Sequence, residues 1–140
     1  MAVPDHPRPA VSTRRGNILM VDDCPTTRAW MSAALEARGW RVLALADGAA
    51  ALAVARVLRF DAIVLDVEMP GLDGLALGRA LRQEPGTAHA RIVMHSGLDE
   101  AEVRAGFSGY DAFVPKSGHP QLLGERLEQL LRASEEASAL

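Results

Sequence analysis

The stretch from Asp61 to Gly74, DAIVLDVEMPGLDG, constrains the fold more than any other part of the chain. Ala62 to Leu65 is an unbroken apolar run, which suits a parallel strand buried on both faces. The run ends on an acid, Asp66. Met69-Pro70-Gly71 follows, where proline fixes one dihedral and glycine supplies conformations that other residues resist, so the strand must stop and turn. Asp66 therefore belongs at the carboxyl end of a strand. In open α/β sheets that edge is where ligands bind and where side chains from several strands can meet.

The same pattern recurs along the chain. Asn17 to Val21, NILMV, is a short apolar run ending in Asp22 and Asp23, and Pro25 to Arg38 has helical spacing with proline in its first turn and Gly39 at its end. Trp40 to Leu45 reads as a strand, Ala49 to Leu58 as an alanine-rich helix, and Leu72 to Arg82 as a helix ended by Pro85-Gly86. Arg91 to His95 is a strand stopping at Ser96-Gly97. Asp99 to Ala105 is expected to form only a short helix, weakened by Gly106 and Gly109. Ala112 to Val114 makes a small strand before Pro115-Lys116, and a last helix runs from about Pro120 to Ala133. Five strands alternating with five helices imply an α/β fold, a doubly wound five-stranded parallel sheet with right-handed crossovers.

At 140 residues, 49% of them hydrophobic, the chain suits one globular domain. We expect a flexible N-terminal arm over 1–16, the domain over 17–133 and a solvated tail over 134–140. A formal net charge of −3 argues against general affinity for nucleic acid or anionic membranes. The absence of a bilayer-length apolar run or an apolar leader makes the cytoplasm the expected compartment. The single cysteine, Cys24, excludes an internal disulfide, and nothing beside it in the sequence suggests a depressed pKa. Trp30 is expected to pack, and His95 to fill space beside a helix.

Four strand ends then deliver polar residues to one edge: Asp22 and Asp23, Asp66, Ser96 and Lys116. Carboxylates crowded together repel by roughly 4 kcal/mol per pair at 4 Å and an effective dielectric near 20. A hard divalent cation relieves that repulsion. Magnesium takes carboxylate oxygens and water and shares sites readily with phosphate. Lysine adds a mobile positive charge and serine a small donor, a set suited to phosphoryl transfer onto a carboxylate.

Taken in order, ILMVDD, VLDVEMPGLDG, IVMHSG and FVPK resemble the motifs of the receiver domain of two-component response regulators, over roughly Asn17 to Ala133. The resemblance implies the flavodoxin-like topology and a stand-alone signalling switch rather than a turnover enzyme. It implies that Asp66 is the phosphoacceptor, charged from a phosphohistidine on a histidine kinase or histidine phosphotransfer protein. Asp23 and Asp66, with the backbone carbonyl of Glu68, would hold magnesium, and Asp22 would act through water. Ser96 and Lys116 would contact the phosphoryl oxygens, and Ser96 with Phe113 would form the switch that biases a distant face toward or away from a protein partner.

Three features depart from that family's pattern. Ser117 stands where a proline commonly follows the lysine, so the Lys116–Ser117 peptide is either trans or strained. Gly97 replaces a small alanine, and the interval from Ser96 to Lys116 is short. These loops motivate a second reading, a receiver-like scaffold that binds without phosphorylation. A third is an Asp-nucleophile phosphatase with Asp66 as nucleophile and Glu68 as general acid. No Walker or dinucleotide fingerprint supports nucleotide binding.

Overall fold

A computed structural model describes residues 16–119 and 121–139, with side chains described as far as residue 133. The expected arm therefore lies, except for Gly16, outside the described residues. Five strands form one sheet: β1 (Asn17–Val21), β2 (Arg41–Leu45), β3 (Ala62–Leu65), β4 (Arg91–Ser96) and β5 (Ala112–Pro115). All pairings are parallel and the spatial order is β2-β1-β3-β4-β5. The helices between them are α1 (Pro25–Ala37), α2 (Gly48–Ala55), α3 (Gly74–Gln83), α4 (Glu100–Gly106) and α5 (Gln121–Ala139).

Alternation along the central strands splits the core in two. Leu19, Val21, Ile63, Leu65, Ile92 and Met94 share one cluster with Leu77 and Leu81 of α3 and Val103 of α4. Ile18, Met20, Val64 and Val93 meet Met31 and Leu35 of α1 and Leu123 and Leu127 of α5 on the other face. The helices thus cover both faces of a sheet whose middle strand, β3, is buried along its whole length. That burial explains its unbroken apolar sequence.

Local chemistry starts the helices. Asp47 accepts from the Ala50 N–H at 2.8 Å and Asp73 from the Ala76 N–H at 2.9 Å, each satisfying a donor left over at a helix N-terminus. At α4 the Glu102 carboxylate accepts the Asp99 N–H at 3.4 Å. The shortened stretch between β4 and β5 is held down from α3. Arg79 donates to the Gly106 carbonyl, and Arg82 reaches the carbonyls of Gly109, Ala88 and Ala90 and the Asp111 carboxylate. Three of these bonds, to Gly106, Gly109 and Asp111, fall within the β4–β5 connection, and the two to Ala88 and Ala90 hold the segment that leads into β4.

Some boundaries differ from expectation. α5 continues to Ala139 rather than ending near Ala133, because Ser134-Glu-Glu-Ala-Ser-Ala139 contains neither glycine nor proline to stop it. α2 ends at Ala55, three residues before Leu58. Trp30 is half exposed rather than packed. The inward stripe of α1 is Met31 and Leu35, one turn apart, and Trp30 lies about 100° around the helix from Met31.

Candidate functional site

Strands β1 and β3 are neighbours in register, Val21 opposite Leu65, so the acids that follow them emerge side by side. Asp66 N–H donates to the Val21 carbonyl at 2.9 Å, extending the ladder by one bond and fixing both acids at the sheet's edge. Carboxylate oxygens of Asp22, Asp23 and Asp66 all lie within 4.8 Å of one another. Asp22 and Asp66 are buried and Asp23 is exposed, so the cluster opens to solvent on one side only.

Lys116 joins this cluster from the end of β5. Its Nζ stands 3.1 Å from Asp22 Oδ2 and 3.1 Å from Asp66 Oδ1, bridging the two buried carboxylates. Its backbone N–H donates to the Ser96 carbonyl at 2.9 Å, which ties the ends of β4 and β5 together. Every peptide bond among the described residues, Lys116–Ser117 included, is trans, which answers the alternative raised by Ser117. Asp22 is oriented from several sides. Cys24 N–H donates to its Oδ1 at 2.9 Å and Arg28 Nη1 to its backbone oxygen at 2.8 Å.

Burial and the Asp22 charge push the Asp66 carboxyl up to about 6, against the opposing pull of Lys116 and the Glu68 backbone N–H. Lys116 is itself raised: burial acts to lower it, and the two carboxylates outweigh that. His95, buried on the strand next to Lys116, is lowered to about 4 by desolvation first and the lysine's charge second, so its imidazole is neutral at pH 7. Its burial agrees with the expectation that it fills space beside a helix.

Ser96 ends β4, fully buried, and its Oγ accepts the Leu98 N–H at 3.0 Å. It does not cap α4, whose N-cap is Asp99. Phe113 pairs in register with Met94 and is half-buried against the first core cluster. The Glu68 side chain is exposed at the rim. Gly97 has open space where a side chain would stand.

Two features were not read from the sequence. A Cβ on Gly74 would lie 2.0 Å from the Asp66 carbonyl oxygen, so only glycine lets the start of α3 sit against the acceptor's backbone. Its signal, a glycine directly after the capping Asp73, was present but reads equally as a turn. The Cys24 thiol is held below its ordinary range chiefly by a hydrogen bond from the Thr27 side chain, contrary to expectation. Threonine three residues after a residue at a helix N-cap was the available sign.

Fold and site together define a flavodoxin-like α/β domain with a carboxylate pocket at the carboxyl edge of its sheet. The family model of the response regulator receiver domain matches residues 18–128. The chain belongs to the response regulator receiver domain family of two-component signalling. It is 32% identical over 130 residues to the DNA-binding response regulator MtrA of Mycolicibacterium smegmatis, covering 92% of this chain and 56% of that protein. It thus spans about half the length of that relative. Its fold matches the receiver domain of a signal transduction histidine kinase from Syntrophus aciditrophicus with TM-score 0.77 at 30% identity, over 84% of this chain and 91% of that one. It also matches the receiver domain of the sensor histidine kinase PA1611 from Pseudomonas aeruginosa PAO1, whose active site cleft coordinates magnesium. There the TM-score is 0.75 at 26% identity, over 83% and 97% of the two chains.

Magnesium is the cofactor of such receiver domains, and the three-aspartate cluster here offers the hard oxygen donors the ion requires. With a DNA-binding response regulator among the relatives, the net-charge argument against nucleic-acid contact loses its support.

Proposed function

We propose that this receiver domain is a phosphorylation-dependent switch, with Asp66 taking a phosphoryl group from a phosphohistidine on a histidine kinase or a histidine phosphotransfer protein. The observation that carries the reading is the shared ammonium: Lys116 lies 3.1 Å from both Asp66 and Asp22, where it can follow charge onto a phosphoryl oxygen. An Asp66 oxygen attacks phosphorus in line as the P–N bond breaks, and the electron pair leaves with the donor imidazole. Lys116 and the Ser96 hydroxyl stabilise the equatorial oxygens. Asp23, Asp66 and the Glu68 backbone carbonyl are the residues that would hold magnesium, with Asp22 acting through water. When bound, the ion neutralises charge on the phosphoryl oxygens.

The switch follows from the hydrogen bond that Ser96 already makes. Moving its hydroxyl toward a phosphoryl oxygen gives up the bond from Leu98 N–H and shifts the loop that starts α4. Phe113, half-buried beside Met94, then repacks. Because its ring carries no hydroxyl, packing alone sets its two positions. Output is by protein docking or by passing the phosphoryl group onward. The reading places the chain in the cytoplasm, and no helix among the described residues is long and apolar enough to cross a membrane.

Intact-mass measurement after incubation with magnesium and acetyl phosphate tests this directly. One added phosphoryl group, absent in Asp66→Asn and absent in EDTA, is the expected result. No gain under conditions that label a control receiver would remove the switch reading in favour of a scaffold. Steady release of phosphate from a phosphate ester would favour the phosphatase.

A further inference from the structure

The opposite end of the sheet carries a feature that the acid pocket does not use. A groove of about 440 Å³ lies there against the first residues of β1 and β2 and the segment leading into β3. Val42, Leu43, Leu58 and Phe60 line it together with Arg41 and Arg59. Val42 and Leu43 project to opposite faces of β2, so a groove touching both follows the strand's edge rather than one face. β2 is an edge strand. Arg41 N–H donates to the Gly16 carbonyl, and the Leu45 carbonyl accepts from Asp22 N–H, so residues 41, 43 and 45 turn their backbone groups toward β1. By alternation, those of Val42 and Ala44 face outward.

The composition of the groove is equally specific. Three large hydrophobics are exposed among the described residues; one of them, Leu58 at 51%, lines the groove, and a second, Val57, precedes it in the chain. Arg41 and Arg59 are exposed and make no ion pair among the described residues, whereas Arg56 close by is paired with Glu84. Outward-facing backbone groups, apolar side chains and two positive charges without an ion pair among the described residues thus coincide.

We propose that this groove docks an extended segment of a partner protein in which apolar and acidic residues alternate, laid along β2 as a sixth strand. Backbone pairing with Val42 and Ala44 supplies the register, Leu58 and Phe60 receive apolar side chains, and Arg41 and Arg59 select acidic neighbours over basic ones. The site lies a strand length from the acid pocket, roughly 16 Å for five residues, so docking is independent of the state of that pocket.

The test uses the full chain and a fluorescein-labelled synthetic peptide alternating glutamate with leucine and valine, read by anisotropy and by amide chemical shifts. The expected result is saturable binding, weakened as salt rises, with shifts at the Val42 and Ala44 amides and no effect of magnesium with acetyl phosphate. Arg41→Glu combined with Arg59→Glu should weaken binding about tenfold or more. Leu58→Ser should weaken it without changing its salt dependence, and urea unfolding confirms that both proteins remain folded. The proposal is overturned by no binding up to about 1 mM protein, by equal binding of a peptide with lysine for glutamate, or by full affinity in the charge-reversed variant. Concentration-dependent dimerisation abolished by Leu58→Ser would also overturn it, since a second copy would then own the groove.

Discussion

Replacing Asp66 by asparagine removes a buried negative charge and keeps the side chain's shape. The folded protein holds this carboxyl at about 6 against an ordinary 3.8, because burial and Asp22 disfavour the charged form more than Lys116 favours it. That difference corresponds to about 2 to 3 kcal/mol by which ionised Asp66 destabilises the fold near neutral pH. Without magnesium at pH 7.5, Asp66→Asn should therefore be the more stable protein, its urea midpoint higher by roughly 1 to 2 M. The sign follows from proton binding. Between pH 3.8 and 6 the folded state holds a proton that the unfolded chain has lost, so wild-type stability falls as pH rises through that window. Below it, the advantage of the asparagine variant disappears. Magnesium should close most or all of that gap, because it stabilises the protein with the intact carboxylate set by about 2.7 kcal/mol at a hundred times its dissociation constant. Urea unfolding in EDTA at pH 7.5 and pH 4, then with magnesium, covers the three conditions. An asparagine variant no more stable than wild type at pH 7.5, or an advantage undiminished at pH 4, would refute the reasoning.

Two further substitutions probe the same pocket. Lys116→Met removes the ammonium from both buried carboxylates, so phosphorylation by acetyl phosphate should slow by about a hundredfold while magnesium affinity, measured by calorimetry, holds or rises. Gly74→Ala forces a methyl group onto the Asp66 carbonyl oxygen and the Val67 backbone, and should cost about 3 kcal/mol or more in urea unfolding. A loss under about 0.5 kcal/mol would show that α3 can retreat without consequence.

The site was legible because its residues interrupt patterns. An acid at the end of an apolar strand is visible without a structure, and three strand ends plus a lysine then converge by topology alone. What the sequence hid depends on distance. Gly74 matters only because α3 starts against the Asp66 carbonyl, a separation no local pattern encodes. Trp30 looked like core because the helix is apolar on more than the one stripe that Met31 and Leu35 bury. The end of α5 was misplaced because Ser, Glu and Ala propagate a helix without the apolar repeat by which helices are recognised. The Arg82 bonds to Gly109 and Asp111 were equally out of view, since they join residues 27 and 29 positions apart.

The bridge from Lys116 also makes the pocket an accountant of charge. Three carboxylates and one ammonium sum to two negative units. A divalent ion brings that sum to zero. Converting Asp66 to its phosphoryl form exchanges one negative unit for about two, so the total departs from zero by about one with the ion present and by about three without it. Ion and phosphoryl group therefore lower each other's electrostatic cost, so each should be held more tightly in the presence of the other. Neutrality, more than any single contact, then couples the two ligands of the proposed switch.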